Sequence, residues 1–524
     1  MAQSIRRIPY RFPRMGYGFR GENSREGATD EIFQAGYLAL ARNYHFVGRG
    51  RALKRQGTIT FGGVIAAGKA VQALHMYDWG DTRKLYSVCD GDLYRYTEGS
   101  SSWGGVTGSI ALPSGKDNQA RFTHFYDGNG PNLIGVAGGR PFRCPPAGTA
   151  DYLSAIAGPT AALDIEEFKG RLWAIEENGT VFRGDDGVSG TWDQIDGEQL
   201  HPSRESPGTA VVRHGDDALL LFYQRSIHYV LFDTSSSIGP WRIDDADLSV
   251  GCDYASSICH YKGITYFKGP DGFYRMKNPT KPAEYIGWPM EGVWQDLFYS
   301  RMPYMRCFAR GEPYNEIVWV ATTAGGTQHD RYFVYNTELE TWSVFNSAYG
   351  NLDFNCGTNF RNSSGKDVTI LGGYDGYASA AWGDDEYETG YLDGGETGSV
   401  VQSQIRTGML NCGYPGIKRL KEIWIEAEVQ TDKTFNLEVV GLSEDPIVSK
   451  DVDITARAGA RLSVDFILGA SRLGGSNIPT QAKFRARARS RAFQQTLTEQ
   501  NISKPHTLHS ITSWFLPRAN RFDS

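Results

Sequence analysis

The chain has 524 residues, 40% hydrophobic and 22% charged, with a formal net charge of −6. It is long enough for two to four domains and apolar enough to bury a sizeable core. Its longest apolar runs, such as Ala218-Leu-Leu-Leu-Phe222, fall far short of the ~20 residues that cross a bilayer, and no apolar stretch follows Met1-Ala-Gln-Ser-Ile-Arg-Arg, so neither a membrane span nor a secretory signal is expected.

Charge is segregated along the chain. Residues 1–60 carry a net of +7, residues 61–400 a net of −18, and residues 401–524 a net of +5. A body so acidic repels phosphates and is a poor general DNA-binding surface. The seven cysteines (89, 144, 252, 259, 307, 356 and 412) are scattered, with neither C-x-x-C nor zinc spacing. They read as reduced thiols of a cytoplasmically made chain. High Gly and aromatic content points to short strands joined by tight turns.

The N-terminal residues 1–62 are read as a basic segment that packs on a platform. Tyr37-Leu-Ala-Leu-Ala-Arg-Asn-Tyr-His-Phe46 predicts one strand, and the basic run to Gly57 a turn and a second strand.

Residues 63–400 repeat. Four hairpins turn on Asp90-Gly91, Asn178-Gly179, Asp271-Gly272 and Asp375-Gly376 between alternating apolar residues. Such dipeptides mark hairpins because the turn needs positive φ at its centre. Looser units surround Asp127-Gly128, Ala218 to Val230, and Arg331 to Phe345. The turns recur every ~47 residues, within the roughly 40–50 of a four-stranded propeller blade. Trp103, Trp192, Trp241 and Trp342 each open a short strand and are expected to pack between blades. The fold class is therefore all-β, a six- or seven-bladed β-propeller at 63–400. The rival is a sandwich of unrelated hairpins.

Residues 401–524 read as a separate β platform. Ile417 to Val429, Phe435 to Val440, Arg461 to Phe466 and Thr507 to Phe515 are its predicted strands. In Lys483-Phe-Arg-Ala-Arg-Ala-Arg-Ser-Arg-Ala-Phe493, cations recur with period two. A strand would line Lys483, Arg485, Arg487, Arg489 and Arg491 on one face, with Phe484, Ala486 and Ala488 inward. That face is either plain solvated surface or a rail for an acidic partner or DNA.

No P-loop, G-x-S-x-G, H-E-x-x-H or EF-hand pattern occurs, and His506 and His509 read as packing or surface residues. Gly184-Asp-Asp-Gly-Val-Ser-Gly-Thr-Trp192 lacks the spacing of sialidase aspartate boxes. No catalytic residue, metal or cofactor is assigned, and the chain is not read as an enzyme.

Phe19-Arg-Gly-Glu-Asn23, Asp30-Glu-Ile-Phe, Arg42-Asn-Tyr-His-Phe-Val-Gly48 and Leu53-Lys-Arg-Gln-Gly57 together resemble the opening of tail nozzle, or tail stabilization, proteins of short-tailed bacteriophages. Asn23, Arg42, Asn43, Arg55 and Gly57 carry that likeness. Val250-Gly-Cys252, Ser256-Ser-Ile and Tyr266 to Tyr274 are similar to their mid-propeller region. Gly416-Ile-Lys-Arg-Leu-Lys421, the Arg-rich strand and Thr507-Leu-His-Ser-Ile511 are similar to their closing domain. The resemblance implies a homo-oligomeric six-fold ring in the virion tail, assembled in the bacterial cytoplasm. It sits below the portal and a head-to-tail adaptor, retains the genome, and conducts double-stranded DNA and ejected proteins without reading sequence. Fibers or spikes attach around it. The alternative is a propeller that recognises carbohydrate, or a glycosidase-like adhesin, with Trp288 and Trp294 as its best aromatic candidates.

Overall fold

The structure is a computed structural model. It describes residues 7–13, 18–24, 33, 36–48, 50–80, 82–127, 130–153, 158–184, 192–195, 206–232, 240–346, 353–381, 392–393, 399–412, 414, 416–429, 432–442, 446–455, 480–499 and 506–517. The expected strand at Arg461 to Phe466 and the Asp185-Asp186 turn lie outside the described residues.

Among the described residues, six four-stranded antiparallel sheets and a seventh four-stranded blade that belongs to a larger, nine-stranded sheet form a β-propeller. Blades one to six span 71–105, 121–152, 162–195, 208–247, 259–285 and 306–346. Blade seven takes three strands from 354–381 and its outer strand, Thr58–Val64, from the N-terminal region, registered through Thr60↔Ser379. Both chain regions thus close one sheet, and the expected boundary at 62/63 runs through that strand. The first strands of neighbouring blades pack on one another all the way round, which makes them the inner wall.

The hairpin reading locates second-to-third strand turns in blades one, three, five and seven. Gly91, Gly179 and Gly376 have φ of 88°, 85° and 87°, as those turns require. Gly272 departs from expectation: it pairs with Gly269 as a strand residue, so Pro270 and Asp271 form the turn. The unit at Arg331 to Phe345 is a third-to-fourth strand hairpin, unlike the others. That difference, with the short helical turns at Trp288–Met290, Glu291–Trp294 and Tyr299–Tyr304 between blades five and six, explains the long spacing there.

Trp103, Trp192, Trp241 and Trp342 all lie on outer strands. Trp241 meets Trp173 of blade three at 5.1 Å between ring centroids, and Trp342 meets Phe273 of blade five at the same distance. The expected packing of these rings between blades holds at both boundaries.

The platform is a sandwich. One sheet contains Ile8–Phe12, Tyr44–Val47, Arg51–Lys54, Lys418–Val429, Thr480–Ser490 and His506–Pro517. The other grows directly from blade six. Leu38–Arg42 pairs in parallel with blade six's outer strand at Arg42↔Val344, and four further strands extend it into a nine-stranded sheet. The platform is therefore not separate from the propeller, as sequence reading had it, because one sheet crosses both. The predicted single strand at Tyr37 to Phe46 also breaks in two. Asn43 adopts φ 59° and turns the chain from one platform sheet to the other. Alternating inward residues, among them Leu420, Ile423, Ile425, Phe484, Ala486 and Ala488, fill the sandwich.

Candidate functional site

Strand Thr480–Ser490 edges its platform sheet and alternates as expected: Phe484, Ala486 and Ala488 are buried, while Lys483, Arg485, Arg487 and Arg489 are exposed; Arg491, also exposed, lies just past the strand's end instead of on it. Its partner strand, Lys418–Val429, adds cations. Arg419 lies directly opposite Arg489, and Lys421 sits at a register shift beside them. Like charges facing across a ladder destabilise it. Partial desolvation and repulsion from Arg419, Arg7 and Arg487 hold the Lys421 ammonium below its usual pKa.

The same sheet face is neutralised elsewhere. Glu422 pairs with Arg7, Glu426 with Arg11 at 2.8 Å, and Glu428 with His509 at 3.0 Å. Among the described residues, no ion pair joins a carboxylate to Arg419, Lys421, Arg485, Arg487, Arg489 or Arg491. The tilted pair Trp424 and Trp514, 4.9 Å between ring centroids, borders this half of the face, and the Lys483 ammonium lies 4.1 Å from the Trp424 ring centroid. The arrangement is a cationic surface with an aromatic shoulder.

The N-terminal residues of the family-like pattern lie elsewhere, buried at the junction of platform and propeller. Asn43 is the centre. Its Oδ1 accepts from Arg55 Nε at 2.8 Å and from the Asn346 amide at 3.2 Å, and its Nδ2 donates to the Gln402 carbonyl at 2.6 Å. Arg42 donates to both carboxylate oxygens of buried Glu22 at 2.9 Å, and Asn23 is tied through its amide to the Leu38 carbonyl at 2.8 Å. Burial raises the Glu22 pKa, against the pull of Arg42. Gly57 is buried in the three-residue link from platform strand Arg51–Lys54 to propeller strand Thr58–Val64. Asn23, Asn43, Arg55 and Gly57 are buried and the Arg42 side chain is 14% exposed, so these residues tie the two parts together.

Two buried networks that sequence reading missed strengthen the junction and the platform. His45 Nδ1 donates to Glu316 Oε1 at 2.7 Å, and Arg310 Nη1 lies 3.1 Å from His45 Nε2. Deeper in the platform, Glu499 faces the ammonium groups of Lys54 and Lys433, and His506 Nε2 meets the Tyr44 hydroxyl at 2.8 Å. No local pattern marks these residues, because their partners lie from 66 to more than 400 positions away.

Along the propeller's inner wall, polar bonds join neighbouring blades: His75 to His124 at 2.9 Å, Arg121 to Asp164 at 3.0 Å, and Thr123 to Glu166 at 2.6 Å. Burial pushes the Glu166 carboxyl up to about 7. All seven cysteines are free, and no group of three metal-ligating side chains occurs among the described residues. Of the aromatic candidates, Trp294 packs on Phe273 at 5.2 Å, whereas Trp288 lines a cleft with Tyr37. No helix among the described residues is long and apolar enough to cross a membrane.

No family model and no curated protein matches the chain. Solved structures similar to it include YCF48 bound to D1 peptide, with 11% identity, a TM-score of 0.40, and coverage of 63% of this chain and 96% of that one. Virginiamycin B lyase from Staphylococcus aureus shows 10% identity, a TM-score of 0.41, and coverage of 63% and 99%. The WD40 repeats of RRP9 show 8% identity, a TM-score of 0.41, and coverage of 63% and 99%. None of these likenesses carries a function to this chain.

Proposed function

We propose that the chain is a structural protein of a phage tail, one copy of a six-fold nozzle ring below the portal and adaptor. In that role it retains the genome and conducts DNA and ejected proteins during infection, with fibers or spikes attached around it. The observation that carries this reading is the uncompensated basic face on a platform continuous with an acidic propeller. A repulsive cluster of exposed cations is neutralised when an acidic neighbour covers it, and repeated subunits place identical faces around a ring. The basic face is the docking site for the adaptor.

The propeller itself supports a ring over a single-chain conduit. Its inner strands touch all the way round and are cross-linked by side chains. In the proposed ring, the passage for duplex DNA lies between copies of the chain. The acidic body is suited to flank it, because it repels phosphates instead of gripping them.

Single-particle imaging of the native assembly tests the reading. The expected result is a six-fold ring of about 350 kDa, from six copies of 58.1 kDa. A stable monomer in the presence of its neighbours would overturn it. The alternative read from the sequence, carbohydrate recognition, would draw on the cleft beside Trp288.

A further inference from the structure

Blade five, blade six and the N-terminal segment enclose a cleft of about 330 Å³. Its floor is Arg275, 5% exposed. The guanidinium donates to the two oxygens of Glu284 at 2.8 and 2.9 Å, to the Tyr335 hydroxyl at 3.0 Å, and pairs with Glu340 at 2.7 Å. Glu284 and Glu340 are 52% and 58% exposed, so both carboxylates stand at the mouth while their common cation lies beneath. The walls are aromatic. Tyr37 and Trp288 meet edge-on at 5.9 Å, with Tyr285 also lining the cleft and the Arg20 guanidinium 6.0 Å from the Tyr37 ring centroid.

We propose that this cleft binds a neutral pyranose sugar. The formal charges nearly balance: Arg20 and Arg275 stand against Glu284 and Glu340, with the exposed Lys277 ammonium 3.3 Å from Glu284, so a free ion gains little net attraction there. The polar groups instead offer acceptors and donors side by side. A carboxylate has about four lone-pair sites, and the bonds to Arg275, with Lys277 also on Glu284, occupy only part of each, leaving acceptors for vicinal hydroxyls. The half-buried Trp288, Tyr37 and Tyr285 supply apolar surface for the C–H face of a sugar ring. The volume lies at the small end of ligand pockets, the size of one or two sugar rings. The site is also pre-organised. Hydrogen bonding from Arg275 holds the Glu284 carboxyl down at about 2, and the Trp342 indole beneath is fixed by its bond to the Ile286 carbonyl at 3.0 Å. Little ordering remains to be done on binding. This activity is independent of ring formation and would add surface-glycan contact to a tail component.

Saturation-transfer NMR and calorimetric titration of the full chain test it, using the methyl glycosides of glucose, galactose, mannose, rhamnose and N-acetylglucosamine. The expected result is saturable binding of at least one glycoside, weakened roughly tenfold by Trp288→Ala and by Glu340→Gln. Glu340→Gln alters a side chain that is 58% exposed and leaves Arg275 held by Glu284 and Tyr335, so it keeps the test valid if Trp288→Ala fails to fold. Three results would each overturn the proposal: no glycoside binds, binding survives both substitutions, or choline or inorganic phosphate occupies the cleft in place of the sugars.

Discussion

His45 Nδ1 stands 2.7 Å from Glu316 Oε1, and both side chains are 1% exposed. One residue belongs to a platform strand and the other to blade six, so this bond crosses the junction. Arg310 approaches the other imidazole nitrogen at 3.1 Å, which requires that nitrogen to accept and leaves the ring neutral. Burial, reinforced by Arg310 and Arg55 against the pull of Glu316, pushes the His45 pKa down to about 4.

The sign of the pH dependence follows. The unfolded chain binds a proton at His45 near pH 6.5, while the folded chain binds it only near pH 4. Stability is fully present above pH 6.5 and falls as pH drops through that window, by about 3 kcal/mol at most for this residue. His75, His124, His214, His228, His260, His329 and His506 are lowered in the same direction. Denaturant unfolding at pH 7.5 and pH 5 is expected to show a marked loss at the lower pH. In His45→Gln the slope should flatten by up to one proton; an unchanged slope would refute a neutral buried His45.

Closure of the propeller rests on the strand Thr58–Val64 and the turn beside it. A Cβ on Gly376 would lie 1.7 Å from the Ala66 carbonyl oxygen, at φ 87°. Gly365 has φ 78° with open space around it. Gly376→Ala is expected to cost more than about 3 kcal/mol and Gly365→Ala about 1 kcal/mol. Paired thermal or denaturant melts check the difference, and equal effects would place the closure elsewhere.

Glu499 is the carboxylate shared by Lys54 and Lys433. Burial lowers the Lys433 pKa to about 8 against the pull of Glu499. Glu499→Gln leaves two buried ammonium groups opposite a neutral amide and is expected to cost about 3–5 kcal/mol. Adding Lys433→Met should recover part of that loss, because one stranded charge is gone. A double-mutant cycle measures the recovery.

The basic face separates stability from assembly. Arg485, Arg487 and Arg489 touch water and like charge, so replacing all three by Glu should leave the melting temperature of the isolated chain unchanged or slightly raised. The same variant should fail to attach to adaptor-bearing heads, and attachment of the wild type should weaken with salt. Normal attachment of the triple variant would remove the docking role from this strand.

Much was legible in the sequence because local chemistry dictates it. Asp-Gly and Asn-Gly turns require positive φ wherever they fall, so Gly91, Gly179 and Gly376 announced blade hairpins without knowledge of neighbours. Period-two alternation places side chains on opposite strand faces, so Phe484, Ala486 and Ala488 could be assigned inward and Lys483, Arg485, Arg487 and Arg489 outward. Segregation of charge is a property of composition and needs no fold.

The tertiary structure alone decided how distant segments share one sheet. Thr58–Val64 completes blade seven because its edge meets Tyr377–Ala381, more than 300 residues away in the chain. Leu38–Arg42 extends blade six because Asn43, held at φ 59° by Arg55, Gln402 and Asn346, turns the chain there. Backbone hydrogen bonds between strands carry no sequence code of their own, so pairing partners and buried ion networks follow from packing. Arg275, Tyr37 and Trp288 form a cleft for that reason: residues far apart in sequence converge only once blades five and six and the N-terminal segment are folded together.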